Sequence, residues 1–305
     1  MTADSRYLII FLYLNDMWTY FTDTDTDITP EVAEEYGYKL ISMPYSDDAK
    51  TIYPFVDYEK FDSKSFYDSL RNGALPTTSA ISEQEYIKYF EPEFAAGNDI
   101  FYVHFSAAMT MTFDNMNKAL DTLKAKYPER KFIGIDTKGI TIVSYLIVRE
   151  IGDMLKTGRT PEEISEWAKT EVDHYSQYFF ADDLKFFRRS GRVGGIAATM
   201  GGLIGIRPII HMSQEGKMES IGKEKGRIKA MEALLKYVEE YGEDIKGHHF
   251  IVGHTDAEDL AREFGAILKE KFGDDLDIEY VVTNPTAGSH CGPNGVGVAF
   301  HSIHR

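Results

Sequence analysis

Residues 100–155, IFYVHFSAAMTMTFDNMNKALDTLKAKYPERKFIGIDTKGITIVSYLIVREIGDML, carry the clearest pattern of strands and helices in the chain. The stretch opens with an apolar run of strand length, Ile100 to Phe105, and a second short run follows at Lys131 to Ile135. Between and after these runs, Phe113 to Tyr127 and Ile140 to Leu155 carry apolar residues at helical spacing. Short strands that alternate with helices of this length predict strand–helix–strand units around a mainly parallel sheet.

The same alternation extends towards the N-terminus. Buried strands are predicted at Trp18 to Thr22 and at Lys39 to Met43, and a helix is predicted at Glu83 to Phe94. We therefore expect an N-terminal α/β domain of three layers over residues 1–165.

The second half of the chain begins with a helix signal. Thr160-Pro161-Glu162-Glu163 combines an N-cap, a proline in the first turn and early acidic residues, and the helix is expected to run to about Tyr175. A glycine-rich stretch follows from Gly191 to Gly205. Residues 166–305 are predicted to form a smaller α+β domain, with a ligand cleft between the two domains. Its predicted elements are strands at Arg207 to Met212, Phe250 to His254, Ile278 to Val282 and Val296 to His301, and helices at Arg227 to Tyr241 and Asp256 to Phe272.

Composition and charge restrict the class of protein. The 305 residues are 43% hydrophobic, which indicates a folded chain with a sizeable core. The net charge of −16 argues against nucleic acid or an anionic membrane as a partner. The single cysteine, Cys291, permits no intramolecular disulfide and favours a cytoplasmic location.

The apolar run from Tyr7 to Leu14 is too short to span a bilayer. It lacks the basic leader and the small-residue cleavage site of a signal peptide. An extra N-terminal strand or an extension ahead of the domain is the favoured interpretation.

An acidic repeat, Thr22-Asp23-Thr24-Asp25-Thr26-Asp27-Ile28-Thr29, follows the first predicted strand. As a calcium loop it lacks the glycine at position six, and it follows a strand rather than a helix. As a phosphatase loop, the Asp25-x-Asp27 pair would supply a nucleophile and a general acid, although the polar residues before Asp25 do not suit the strand such a loop needs. The favoured interpretation is a turn in which Thr and Asp side chains cap backbone amides.

Motifs for nucleotide binding, nucleophilic serine chemistry and metal binding are missing. His290 and Cys291 are expected to point to opposite faces of an extended segment, which argues against a Cys/His dyad. The pairs His248-His249 and His301/His304 are interpreted as surface histidines, so no metal site is predicted.

Basic residues concentrate in one part of this acidic chain. Residues 185–229 contain ten basic and three acidic side chains. A charge run of this kind is either a solvated face or an island that binds a phosphate or an acidic partner, because arginine matches the geometry of phosphate oxygens.

Five segments, taken together and in order, resemble the DegV family of bacterial fatty-acid-binding proteins. They are TDTDTDI at Thr22–Ile28, PTTSAIS at Pro76–Ser82, VHFSAAMTMTF at Val103–Phe113, SGRV at Ser190–Val193 and HCGPNGVG at His290–Gly297. The resemblance runs from about residue 17 to the end of the chain. It implies a two-domain α/β fold that buries one long-chain fatty acid, such as palmitate or oleate, with no further cofactor and no catalysis of its own.

The resemblance also implies which residues bind the ligand carboxylate. The threonine of the family's P-T-T-S motif falls on Thr78, with Ser79 beside it, and the serine-rich motif S-S-x-x-S-G-T begins at Ser106 and places its ligand serine on Thr110. This chain departs from the second motif, because it has alanine for the second serine, threonine for the ligand serine and methionine for the glycine. Hydroxyl donation is kept, while the shape of the pocket is expected to differ.

A partner is implied as well. In the family, the bound acid is presented to a separate fatty acid kinase that makes the acyl phosphate, and contact with membranes is only transient. The arginine of the family's G-G-R segment falls on Arg192, and the histidine of its H-x-G-P-G segment falls on His290. With Arg207 and Arg227 from the basic segment, they are the predicted contacts for phosphate or for the partner. The alternative function is that of a magnesium-dependent phosphatase using Asp25 and Asp27.

Overall fold

A computed structural model describes residues 18–47, 50–194 and 205–305. The apolar run at Tyr7 to Leu14 and residues 195–204 of the glycine-rich stretch, including Ile204, lie outside the described residues. No helix among the described residues is long and apolar enough to cross a membrane.

The first half of the chain is built on a four-stranded parallel sheet with the order β2-β1-β6-β7. Its strands are β1 (Trp18–Asp23), β2 (Tyr38–Ile41), β6 (Asp99–His104) and β7 (Phe132–Asp136). The connecting helices are α1 (Pro30–Tyr36), α2 (Ser63–Arg71), α3 (Glu83–Ala96), α4 (Thr112–Lys126) and α5 (Ile142–Lys156). Three short strands, β3 (Tyr45–Asp47), β4 (Lys50–Ile52) and β5 (Thr77–Thr78), form a separate small sheet. The parallel sheet and its crossover helices confirm the predicted α/β class.

The second half contains a seven-stranded mixed sheet with the order β13-β12-β14-β8-β10-β11-β9. Its strands are β8 (Tyr175–Phe180), β9 (Val193–Gly194), β10 (Ile206–Met212), β11 (Met218–Lys225), β12 (Ile251–His254), β13 (Glu279–Val282) and β14 (Val296–His301). The helices are α6 (Pro161–Glu171), α7 (Lys185–Ser190), α8 (Arg227–Tyr241), α9 (Glu258–Phe272) and α10 (Pro285–Cys291).

The structure of this half differs from the expectations in two places. The helix that starts at Pro161 ends at Glu171, and the next strand, β8, lies at the centre of the large sheet. His290 and Cys291 are the last two residues of α10 rather than part of an extended segment. Asn284 caps this helix by accepting a hydrogen bond from the Ala287 amide at 2.9 Å, and Pro285 occupies its first turn.

Helix α5 connects the two halves. Its sequence predicts one apolar side, yet nine of its residues are buried. Ile142, in its first turn, lies against Gly253 of β12 and Gly297 of β14, where a β-carbon would come within 2.4 Å and 3.3 Å of its side chain. One hydrophobic core therefore contains side chains of α5, of the parallel sheet and of the large sheet. A helix packed between two sheets needs apolar residues nearly all round.

Candidate functional site

A cavity in the molecule is lined by residues of both halves. It contains about 1030 Å³ of space not filled by atoms, including the part open to solvent. Its apolar lining comes from the ends of strands, from the segments that follow them and from helices α5 and α10. It includes Met43, Phe105, Met109, Ile140, Ile142, Phe179, Phe180, Ala181, Met218, Ala287 and Val296.

The opening of the cavity is polar. We use the term rim for Thr78, Ser79, Thr110, Arg192 and His290, which all line the cavity and are exposed or half-buried. Thr78 and His290 are 212 residues apart in sequence, yet the Thr78 hydroxyl lies 2.8 Å from His290 Nε2. The small sheet presents Thr78 and helix α10 presents His290, so both elements must be in place to form the pair.

His290 is a neutral imidazole at neutral pH. Burial lowers its pKa to about 4, and the charges of Arg192 and Arg189 act in the same direction. Its Nδ1 atom is buried and has no hydrogen-bond partner among the described residues. In the tautomer with the proton on Nε2, the ring donates to Thr78 and leaves the threonine hydroxyl hydrogen free for a ligand.

The predicted serine and threonine residues separate into two groups. Thr110 lines the cavity and its hydroxyl oxygen accepts a hydrogen bond from the Thr112 amide at 3.1 Å. Ser79 is exposed at the rim. Ser106 is fully buried and is not part of the cavity lining. Its hydroxyl donates to the Gly216 carbonyl at 2.7 Å, so it joins the two halves of the molecule instead.

The predicted arginines also separate. Arg192 is exposed and lines the cavity. Arg207 and Arg227 are outside the lining and both pair with Asp182: Arg207 Nε lies 2.6 Å from one carboxylate oxygen, and Arg227 donates to both at 2.9 Å and 2.8 Å. The structure therefore brings one of the three arginines to the site.

Arg189 is a residue that the sequence did not single out. Its guanidinium donates to the carbonyls of Leu75 and Pro76, directly ahead of Thr78. Helix α7 thereby holds the loop that carries the rim threonine. The basic segment contains this arginine, but nothing in the local sequence indicates its long-range contact.

The acidic loop, residues 23–27, is buried below the rim. It forms a 3₁₀ turn capped by Asp23, which accepts a hydrogen bond from the Asp25 amide at 3.0 Å, so the predicted capping turn is confirmed. Asp23 also accepts from the Tyr102 hydroxyl at 3.0 Å. Asp27 accepts two hydrogen bonds from Asn284, at 2.8 Å and 2.7 Å.

Burial raises the pKa of Asp23 and of Asp27 to about 7. Burial, together with these two neighbours, raises the pKa of Asp25 well above its ordinary value. Buried carboxyls that resist ionisation are poor nucleophiles towards phosphorus, which argues against the phosphatase alternative.

One group of side chains among the described residues has the composition of a metal site. His174, Glu243 and His301 each offer a ligand atom, and the three atoms lie within 4.8 Å of one another. The prediction that His301 is a surface histidine was wrong, because it lies buried at the end of β14. Both histidines contact a backbone carbonyl through Nδ1, at 3.1 Å and 2.8 Å. The group is not part of the cavity lining.

Comparison with known proteins defines the class. A model of the family described as "Uncharacterised protein, DegV family" matches residues 18–302, so the chain belongs to the DegV family. A DegV domain-containing protein of Clostridium perfringens is 27% identical over 281 residues, which cover 92% of this chain and 96% of that protein.

Solved structures agree with this assignment in their fold. A stearic acid-binding protein from Eubacterium ventriosum superimposes with a TM-score of 0.83 at 20% identity, covering 94% of this chain and 98% of that one. DegV from Bacillus subtilis, described as a fatty acid binding protein, gives 0.79 at 21% identity, with 94% and 99% covered. A DegV family protein from Ruminococcus gnavus, solved with vaccenic acid, gives 0.81 at 19% identity, with 92% and 99% covered.

Proposed function

We propose that this protein binds one long-chain fatty acid, with the carboxylate at the rim and the acyl chain in the cavity. The observation that carries the proposal is the Thr78–His290 pair, which lies beside Arg192 at the opening of an otherwise largely apolar cavity. A buried carboxylate needs hydrogen-bond donors, and Thr78, Ser79 and Thr110 offer hydroxyl groups there. The fatty acids bound by the related proteins support the same ligand class.

The acyl chain supplies most of the affinity. Burial of roughly fourteen methylenes at ~0.8 kcal/mol each contributes about 11 kcal/mol before the costs of ordering the ligand. In this proposal the two domains contribute different parts of the binding site. Residues 1–165 carry the carboxylate-binding hydroxyls, and residues 166–305 complete the pocket with α10 and the large sheet.

Solvent extraction of freshly purified protein followed by mass spectrometry tests the proposal. We expect a long-chain fatty acid, and binding of added palmitate or oleate to delipidated protein. If extraction recovers no fatty acid and neither ligand binds, the proposal is wrong.

We further propose that the bound acid is handed to a separate fatty acid kinase. The chain has no nucleotide-binding loop in its sequence, so the phosphoryl donor must come from another protein. Arg192 is the cation beside the carboxylate and would meet the transferred phosphate. Arg207 and Arg227, joined through Asp182, would form part of the docking surface.

Charge reversal distinguishes these roles. Arg192→Glu and Arg227→Glu are each expected to suppress kinase-dependent formation of acyl phosphate, while fatty-acid affinity stays within a few-fold because tail burial sets it. Loss of lipid binding in both variants would assign these arginines to the pocket or the fold. A magnesium-dependent phosphatase assay on the protein alone is expected to show no turnover.

A further inference from the structure

The interior of the cavity contains a carboxyl group that an acyl chain alone does not satisfy. Asp25 lines the cavity and is 5% exposed. Its Oδ1 atom is buried without a hydrogen-bond partner among the described residues. A buried polar atom without a hydrogen bond costs free energy, and a methylene chain passing beside it leaves that cost in place.

Asp25 differs from the other carboxyls of the acidic loop. Asp23 and Asp27 hold other parts of the protein in place, through Tyr102 and Asn284, and neither lines the cavity. Asp27 also has one buried oxygen without a partner among the described residues, but that oxygen does not belong to a cavity-lining side chain. Only the middle carboxyl of the three is therefore placed to meet a ligand.

Thr141 adds a second polar group to the same region. It lines the cavity, its backbone amide donates to the Asp25 carbonyl at 2.8 Å, and its hydroxyl oxygen accepts from Gln177 Nε2 at 3.2 Å. Within the described part of the chain, its hydroxyl hydrogen has no acceptor. Its φ of 57° is unusual for a β-branched side chain, and such strain is kept where the surroundings impose it.

We propose that Asp25 and Thr141 form a polar subsite in the interior of the cavity, which binds a hydroxyl group on the chain of the ligand. The preferred ligand is then a hydroxylated long-chain acid, with its carboxylate at the rim and its hydroxyl at the subsite. This inference rests on the proposed function. A hydroxyl group suits the subsite because it accepts a hydrogen bond from Thr141 and exchanges one with the Asp25 carboxyl. Burial raises the pKa of Asp25 and so favours its acid form, which both donates and accepts a hydrogen bond.

The test is competition binding between stearate and a series of hydroxystearates that carry the hydroxyl at successive positions. For the delipidated parent protein, we expect one or a few positional isomers to bind at least about five-fold more tightly than stearate, which is the size of one net hydrogen bond. Asp25→Leu and Thr141→Val are expected to bring this ratio close to one. Asp25→Asn keeps a donor and an acceptor, and should restore most of the preference. Asp27→Asn, in the same loop but outside the lining, is the matched control and should leave the ratio unchanged.

The outcomes separate the two proposals. If the parent binds stearate but every hydroxystearate binds equally or more weakly, the polar subsite is refuted while fatty-acid binding stands. Retention of the full preference in Asp25→Leu or in Thr141→Val refutes it as well. If neither stearate nor any hydroxystearate binds, the proposed function itself fails.

Discussion

The two ends of the cavity differ in charge and in access to solvent. The rim is open and offers hydroxyl groups, a neutral histidine and the Arg192 cation. The acidic loop is closed to solvent, and its carboxyls have raised pKa values because burial disfavours their ionised forms. One end is thus suited to an anion, and the other excludes one.

For the fatty acid of the proposed function, this difference would determine the orientation of binding. A carboxylate at the rim gains hydrogen bonds and a favourable charge, whereas a carboxylate beside Asp25 would meet further acidic groups in a buried environment. We therefore expect the ligand to bind in a single orientation, with its carboxylate at the rim. The charge difference between the two ends is sufficient to set this orientation.

The first prediction has the largest expected effect and concerns the acidic loop, residues 23–27, which forms the closed end of the cavity. A carboxyl whose pKa is raised in the folded protein binds more protons there than in the unfolded chain. Its contribution to stability is therefore complete below about pH 4 and is lost as pH rises through the folded pKa, which is about 7 for Asp23 and Asp27. Burial raises the pKa of Asp25 in the same direction. Asp25→Asn removes one such group. Its free energy of unfolding should fall less steeply with pH than that of the parent, by up to about 1.4 kcal/mol per pH unit.

Urea denaturation at pH 5, 6.5 and 8 measures this slope. The exposed Asp121→Asn is the control and should follow the parent. Identical slopes for Asp25→Asn and the parent would mean that Asp25 is charged in the folded protein, and the contrast between the two ends would fail.

The next effect tests how the closed end supports the rim. Asn284 donates to Asp27 and caps α10, the helix that carries His290. Asn284→Ala loses a buried hydrogen bond and a helix cap, which should lower the free energy of unfolding by about 2–4 kcal/mol. Urea denaturation of Asn284→Ala measures this loss, and the exposed Asn72→Ala serves as the control. A loss under about 0.5 kcal/mol in Asn284→Ala would show that the acidic loop and the rim are independent.

A smaller effect is expected from the rim hydroxyls. Thr78→Val and Thr110→Val keep the side-chain volume and delete a donor, so each should weaken fatty-acid binding by about 1–3 kcal/mol. Ser106→Ala is the informative comparison, because Ser106 is outside the lining: it should reduce stability and leave the affinity close to that of the parent. Titration calorimetry with oleate on all three variants separates the roles, and equal affinities for Thr78→Val, Thr110→Val and the parent would remove these hydroxyls from the carboxylate site.

The smallest effect concerns the exposed cation. Arg192→Gln should weaken fatty-acid binding by less than about 1 kcal/mol, since an exposed charge is screened by solvent. The difference from the parent should shrink further between low salt and 0.5 M salt. Arg262→Gln, on the distant α9, serves as the control; a loss of more than tenfold in Arg192→Gln would mean that this side chain is buried against the ligand when it binds.

Periodicity was sufficient to predict most of the fold. The strands and helices of residues 100–155 are local patterns, and the structure has them close to the predicted positions. Strand β8 was missed because its run, Tyr175–Phe180, follows the helix signal at residues 160–163 with no glycine or proline between them to mark a boundary. Helix α10 is seven residues long and rich in small side chains, so it has no period to detect.

The site was predictable only in part, because its contacts are long-range. The resemblance brought Thr78, Thr110, Arg192 and His290 together, and all four line the cavity. It could not separate Ser106 from them, since Ser106 is held by Gly216, 110 residues further along the chain. For the same reason the sequence could not show which aspartate of the acidic loop lines the cavity: the side chains that donate to Asp23 and Asp27 belong to residues 79 and 257 positions away.

Helix α5 has a consequence for how the ligand leaves. Because α5 shares one hydrophobic core with both sheets, separation of the two halves of the molecule would expose that core to water. We therefore expect the acid to exit lengthwise through the rim, with the slow withdrawal of the tail limiting the dissociation rate. A partner protein that covers the rim would then block dissociation of the acid for as long as that partner stays bound, in addition to receiving the acid.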